Sequence, residues 1–216
     1  MATRFRLALP PEQAATLIME AYAARVRERG MEPRMTPMLR EHISHAAMWL
    51  TGTSQRAGML LCGNTGNGKT TLMRALQTVI NLFDPPHGAQ LHEPGMIIVS
   101  AKELVALAKA AANPTADNRE QCRRHRRMKD IQILAIDDMG AEPRESRHYG
   151  DYVTAVEDII LHRYDNLGAT IASTNLSTAE LAEYYDARIL DRMREMMDIV
   201  NFGNEESFRR IDIIER

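Results

Sequence analysis

The sequence predicts an α/β fold built on a parallel sheet covered on both faces. Three observations carry this. Short, mostly apolar strand segments alternate with longer helical stretches from residue 59 to residue 202. The first of these strands runs straight into a glycine-rich loop, and a later one ends in two adjacent acids. Strands buried on both faces read as continuous apolar runs, and the helices between them supply the crossovers that parallel pairing requires.

Taken in order, residues 11–29 read as an amphipathic helix. Ala14, Leu17, Ile18, Ala21, Tyr22 and Val26 recur at three- and four-residue spacing, and Gly30 stops the pattern ahead of Pro33. A second helix is expected from Thr36 as N-cap, with Pro37 at its first position, through Leu39, Ile43, Ala46, Ala47 and Leu50 to a stop at Gly52. These two form a small N-terminal helical module, residues 1–52, ahead of a core at 53–216. The core is expected to begin with a strand at 59–62 and a helix from Lys69 to about Phe83, stopped by Asp84-Pro85-Pro86. A strand at 96–100, a helix at 101–112 and a strand at 131–136 follow. A helix at 152–164 and a strand at 169–173 come next, then helices at 179–185 and 188–197 and a last strand at 199–202.

Composition narrows the class. Hydrophobic residues make up 44% of the 216 positions, too many for a disordered chain. No apolar run approaches the roughly 18 residues of a membrane span, and the N-terminus is a poor secretory signal. Cys62 and Cys122 are too few for a disulfide framework. A reduced, cytoplasmic protein is expected, with no membrane partner. Net charge is −2, so overall charge does not announce a nucleic-acid binder. Yet residues 119–129 hold six basic residues (Arg119, Arg123, Arg124, Arg126, Arg127 and Lys129) against one acid, Glu120.

The residues that carry chemistry begin at Gly63-Asn64-Thr65-Gly66-Asn67-Gly68-Lys69-Thr70, which fits the Walker A pattern of a P-loop. Glycines let the backbone wrap a triphosphate, so that its N–H groups and the N-terminus of the next helix, with Thr71 in its first turn, face the anion. Lys69 is expected to reach the β- and γ-phosphates of ATP, and Thr70 to offer its hydroxyl to Mg²⁺. By chance such a pattern arises in a chain of this length on the order of one time in a hundred, and here it lies between an expected strand and helix. Ile133-Leu134-Ala135-Ile136-Asp137-Asp138 has the Walker B form. Asp137 is placed to hold Mg²⁺ and Asp138 to orient or deprotonate the attacking water. Asn175 ends a further strand. If that strand lies between the two Walker strands, Asn175 sits beside the γ-phosphate; taken alone, Thr-Asn is more often a plain turn. His42 and His45 lack an acid or Cys partner for a metal, and Cys62 ends a buried strand.

The segments GNTGNGKT, ILAIDDMG, AVEDIILHRYDN, IASTNLS and ARILDRMREM, in that order, resemble the DnaC-type helicase loaders and the related IstB-type transposition ATPases, which share a AAA+ core. The likeness covers roughly residues 57–202. It implies a AAA+ P-loop NTPase core with a five-stranded parallel sheet of order 5-1-4-3-2. It also implies ATP-dependent homo-oligomers with ATP sites at subunit interfaces, and work on DNA. It makes Asn175 a sensor-1 residue and points to Arg192, then Arg188, as the arginine finger; from the residues alone both read as ordinary helix surface. Many AAA+ proteins have Glu where this chain has Asp138, which sets the carboxylate about 1.5 Å further back; slow hydrolysis is expected. No complete C-terminal lid is expected, and a sensor-2 role for Arg209 or Arg210 stays open.

In initiator-like relatives the region of the basic cluster faces the central channel, so Arg123, Arg124, Arg126 and Arg127 are candidates to grip single-stranded DNA. A solvated helix face explains them equally well, because no aromatic residue for base stacking lies among them. The leading expectation is an ATP-hydrolysing loader of a replicative helicase, and the alternative is the ATPase of a transposition system acting on duplex DNA. A small-molecule kinase and a non-hydrolysing ATP switch are more distant readings. The exposed faces of the two N-terminal helices are the expected helicase contact, dispensable for ATP-dependent DNA binding.

Overall fold

The computed structural model describes residues 6–83, 95–143, 147–148, 151–152 and 154–203. Helices α1 (Pro11–Arg27) and α2 (Pro37–Leu50) open the chain. Thr36 caps α2 as expected, its hydroxyl accepting from the Leu39 amide at 3.1 Å. Strand β1 (Gly58–Cys62) and helix α3 (Lys69–Phe83) flank the glycine-rich loop. Then come β2 (Met96–Ser100), α4 (Ala101–Ala112), α5 (Arg119–Asp130) and β3 (Ile133–Met139). A hairpin of β4 (Arg147–His148) and β5 (Asp151–Tyr152) precedes α6 (Ala155–Asp165). The described chain closes with β6 (Ala169–Thr174), α7 (Thr178–Tyr184), α8 (Ala187–Met196) and β7 (Met197–Asn201).

The main sheet is parallel throughout, in the order β2-β3-β6-β1-β7. Counting its five strands in chain order and reading from the β7 edge, this is 5-1-4-3-2, the order the family resemblance implies. The β6 strand therefore separates β1 from β3, and a crevice opens at their carboxyl ends. Such switch points are where open α/β sheets bind ligands.

Side-chain alternation along β1 distributes the core. Met59 and Leu61 face one cluster, with Ile18, Tyr22, Ile43, Leu72 and Leu76. Leu60 faces the other, with Leu104, Val156, Ile160, Ile189 and Met193. The N-terminal helices thus share one continuous core with α3 and the sheet. At the opposite edge from the crevice, Arg163 of α6 is 1% exposed. Its guanidinium donates to the carbonyls of Met128 (3.2 Å), Lys129 (3.0 Å), Ile131 (2.9 Å) and Ala169 (2.7 Å) and to the Thr170 hydroxyl (2.9 Å). Burial lowers its pKa to about 10, which leaves it charged at neutral pH.

Residues 119–130, which carry the basic cluster, form a full helix, α5, which packs on α4 and α6. Two expectations are corrected. The third strand begins at Ile133 and runs past both acids to Met139, while Ile131 caps α5. The helix expected from residue 152 starts at Ala155, because Asp151–Tyr152 pairs with Arg147–His148. The Asp84-Pro85-Pro86 stop and Arg209 and Arg210 lie outside the described residues.

Candidate active site

The glycine-rich loop joins β1 to α3 at the carboxyl edge of the sheet. Gly63, Gly66 and Gly68 all have positive φ, at 141°, 91° and 96°. At Gly68 the requirement is also steric, since a Cβ would lie 2.3 Å from the Tyr22 hydroxyl of α1. The loop lines a cavity of about 850 Å³, with Thr65, Gly66, Asn67, Gly68, Lys69, Thr70 and Thr71 on one side and Asp137, Asp138 and Asn175 on another. Gly63 and Asn64 form the loop's entry and meet Lys69 through their carbonyls.

Lys69 is 5% exposed. Its ammonium donates to Gly63 O at 2.6 Å, Asn64 O at 2.8 Å, Asn67 Oδ1 at 3.1 Å and Asn175 Oδ1 at 2.9 Å. The charge is thus held by dipoles at the floor of the cavity and joined to the end of β6. Asn175 in turn donates from Nδ2 to Asp138 Oδ1 at 3.3 Å. Walker A lysine, sensor-1 candidate and Walker B acid form one chain of hydrogen bonds.

A second chain fixes the acids. Thr70 Oγ1 donates to Asp137 Oδ1 at 3.1 Å. Ser173 Oγ donates to the same oxygen at 2.5 Å and accepts from the Asp138 amide at 2.9 Å. Asp138 has φ +57°, a left-handed backbone unusual outside glycine, where the β3–β6 register shifts. The turn beyond is anchored by the buried Glu142, whose carboxylate accepts from the Gly140 amide at 2.8 Å and from the Tyr185 hydroxyl. Burial and that carboxylate push the Tyr185 phenol well above its ordinary pKa, so it stays a donor. Ser173 and Glu142 were not singled out by sequence reasoning. A serine within a buried strand, two residues before Asn175, was the available signal for the first.

The donors fit a divalent cation of the hard type. The Thr70 hydroxyl and the Asp137 carboxylate lie 3.1 Å apart and supply only oxygen. Elsewhere among the described residues no group of His, Cys, Asp and Glu could hold a metal. His42 instead approaches Asn201 O at 3.1 Å and stacks on Phe202 with ring centroids 4.0 Å apart. Burial lifts the Cys62 thiol to about 11, only partly offset by Lys69, as an inert cysteine requires.

Arg192 and Arg188 are not brought to this cavity. Both lie on α8. The Arg192 guanidinium sits 4.6 Å over the Tyr164 ring, and Nη1 is 3.4 Å from the Tyr164 hydroxyl. Asp191 and Glu195 are each 3.9 Å away. Arg188 is exposed. The basic cluster is on α5, where Arg123, Arg124 and Arg126 are exposed and Arg127 is half-buried. Arg123 pairs with Glu120 and Arg124 with Glu103, each at 2.6 Å.

Helix α1 and the residues after it also reach the cavity. Tyr22 and Val26 of α1, with Arg29, Met31, Glu32 and Arg34 after it, form one wall. The helix reaches the site because it packs along α3.

Among curated proteins none matches this chain. In solved structures its fold is similar to that of the DnaC helicase loader, at 20% identity over 80% of this chain and 93% of that one, TM-score 0.58. It is similar to DnaI, at 21% identity over 91% of this chain and 95% of that one, TM-score 0.58. The AMPPCP-bound DnaA of Aquifex aeolicus shares 15% identity over 78% of this chain and 48% of that one, TM-score 0.54. At these identities the likeness is one of fold. No described helix is long and apolar enough to cross a membrane. The family model for the ATPase family associated with various cellular activities (AAA) matches residues 59–200. With that match running from β1 through β7, well over half of the chain, the protein belongs to the AAA family and is an ATPase.

Proposed function

We propose that this ATPase loads a replicative helicase onto single-stranded DNA, acting as an ATP-dependent homo-oligomer. The observation that carries the reading is extent of likeness. The match spans 95% of the DnaI structure and 93% of the DnaC helicase loader, but 48% of DnaA. In this reading residues 1–52 are the partner-binding module and 53–216 the ATPase core.

The site chemistry follows from its own residues. Residues 63–71 wrap the phosphates of ATP, and Lys69 exchanges its loop carbonyls for β- and γ-phosphate oxygens. Thr70 and Asp137 hold Mg²⁺, which neutralises charge on the β- and γ-phosphates when bound. Asp138 accepts a proton from, or orients, the attacking water. Asn175, bonded to both Lys69 and Asp138, shifts when the γ-phosphate takes the ammonium from it. Arg192 of a neighbouring subunit, with Arg188 second, completes the site, which makes turnover depend on assembly.

DNA binding is assigned to α5. Replacing Arg123, Arg124, Arg126 and Arg127 by Ala should weaken single-strand binding and flatten its salt slope. Each phosphate contact contributes about −0.7, so four contacts give up to roughly 2.8 units, and fewer for each arginine that keeps an intramolecular partner. The deciding measurement compares ATP-dependent binding to single-stranded and duplex DNA of equal length at matched salt. Preference for the single strand supports loading; tighter binding to duplex, with bending, refutes it.

A further inference from the structure

We infer that Arg29, just past the end of α1, is a nucleotide-binding residue that holds the α- and β-phosphates and clamps the N-terminal helix onto the bound nucleotide. This rests on residues 63–71 being the phosphate cradle.

Two side-chain contacts set the geometry. Arg25 Nη2 donates to Thr78 Oγ1 at 3.0 Å and Arg29 Nη1 to Thr71 Oγ1 at 3.5 Å. Moving forward along α1 corresponds to moving back along α3, so the helices are antiparallel. The C-terminal end of α1 therefore lies beside the N-terminal end of α3, where the cradle faces its anion. Tyr22 of α1, seven residues before Arg29, has its hydroxyl against Gly68 of the loop.

That placement poses an electrostatic problem. The end of a helix carries unpaired carbonyls and about half a negative charge, which repels phosphate. Alpha-1 ends at the site, with Gly30 at φ +72° turning the chain away. Cations at this end offset the repulsion, and the cavity lining supplies them: Arg29 and Arg34 beside Glu32, with Arg74 of α3, while the acids Asp137 and Asp138 lie on another side. Of the three arginines, Arg29 is the one bonded to the first turn of α3. Its bond to Thr71 is long and its side chain exposed, so the guanidinium is free to exchange a neutral hydroxyl for a phosphate oxygen at little cost. The γ-phosphate end is marked by Asp138 and Asn175, which Arg29 does not touch. This leaves it the α- and β-phosphates, shared by ATP and ADP.

The test titrates ATP and ADP into the full chain carrying Arg29→Ala, Arg29→Lys or Lys69→Ala. Arg29→Ala should weaken both nucleotides by the same factor, about tenfold, with Arg29→Lys intermediate and the nucleotide-free melting temperature unchanged. Loss confined to ATP would put Arg29 at the γ-phosphate and overturn the assignment. Unchanged binding of both, while Lys69→Ala still weakens them, would leave Arg29 a mere tie between helices. Unchanged binding in Lys69→Ala as well would remove the cradle, and the inference with it.

Discussion

Replacing Ser173 by Ala removes the one hydroxyl that holds both Walker B acids. Its bond to Asp137 is charge-assisted, a class worth about 1.5–3 kcal/mol, and its loss also strips the Asp138 amide of an acceptor, a cost of about 1–3 kcal/mol. Ser173 is fully buried, but Asp137 is only half-buried and Asp138 exposed, so water repairs part of the damage. A net loss of about 2 kcal/mol is expected, roughly 4–8 °C in melting temperature for a domain of this size. Catalysis should suffer more than binding. Asp138 keeps its bond to Asn175 but loses the backbone anchor of its left-handed turn, and a misplacement near 1 Å can cost about 100-fold. We expect kcat for ATP hydrolysis to fall about 10- to 100-fold in a phosphate-release assay. KM should hold within about twofold, because Ser173 does not line the cavity. A lower melting temperature with unchanged kcat would make the hydroxyl a core tie and leave the acids held by other means. A raised KM with unchanged kcat would move its role to binding.

Asp138→Asn should bind ATP while single-turnover hydrolysis falls about 100-fold or more; undiminished turnover would make Asp138 a cap on the strand end. Arg192→Ala should bind ATP yet barely hydrolyse it, and mixing it with Lys69→Ala should restore some activity, because in the proposed assembly one subunit supplies the site and the other the finger. No rescue between subunits shown to co-assemble would refute the trans role. Cys62, with its thiol near 11, is about one part in a thousand thiolate at pH 8. Its alkylation, followed by mass spectrometry, should therefore rise about tenfold per pH unit up to that value; a plateau near pH 9 would contradict the burial argument.

The contiguous parts of the site were legible in the sequence. Walker A places nine residues by local rules, and Asp137, Asp138 and Asn175 follow from strands ending at one sheet edge. What escaped depends on packing between distant segments. Arg29 and Tyr22 lie some 40 residues before the loop, and only the docking of α1 on α3 brings them to it. Helix α5 was read only as a solvated face without bounds, because Met128 is its one fully buried residue and no apolar stripe marks its ends. The extension of β3 past its acids was hidden because a register shift, rather than a stop, carries the chain through Asp137 and Asp138. Glu142 reads as a surface acid until Tyr184 and Tyr185 fold over it.

Arg163 gives the sheet a fixed pivot. It grips the start of β6, the carbonyl of Ile131 just before β3, and the end of α5, so those two neighbouring strands cannot slide past each other at their amino ends without breaking several hydrogen bonds at once. Their carboxyl ends, which carry Asp137, Asp138 and Asn175, lie five or six residues away, about 17–20 Å at strand rise. Any motion between them would then be a tilt rather than a slide. A lever of that length turns a tilt of about 3° into roughly 1 Å of travel at the tip, the distance over which the alignment of a reacting water is won or lost. The same guanidinium touches the last turn of the basic helix through Met128 and Lys129. A tilt begun at the nucleotide therefore pivots on the very group that anchors the proposed DNA-gripping helix, and Arg163→Lys, which keeps the charge but not the fork of donors, should uncouple the two ends.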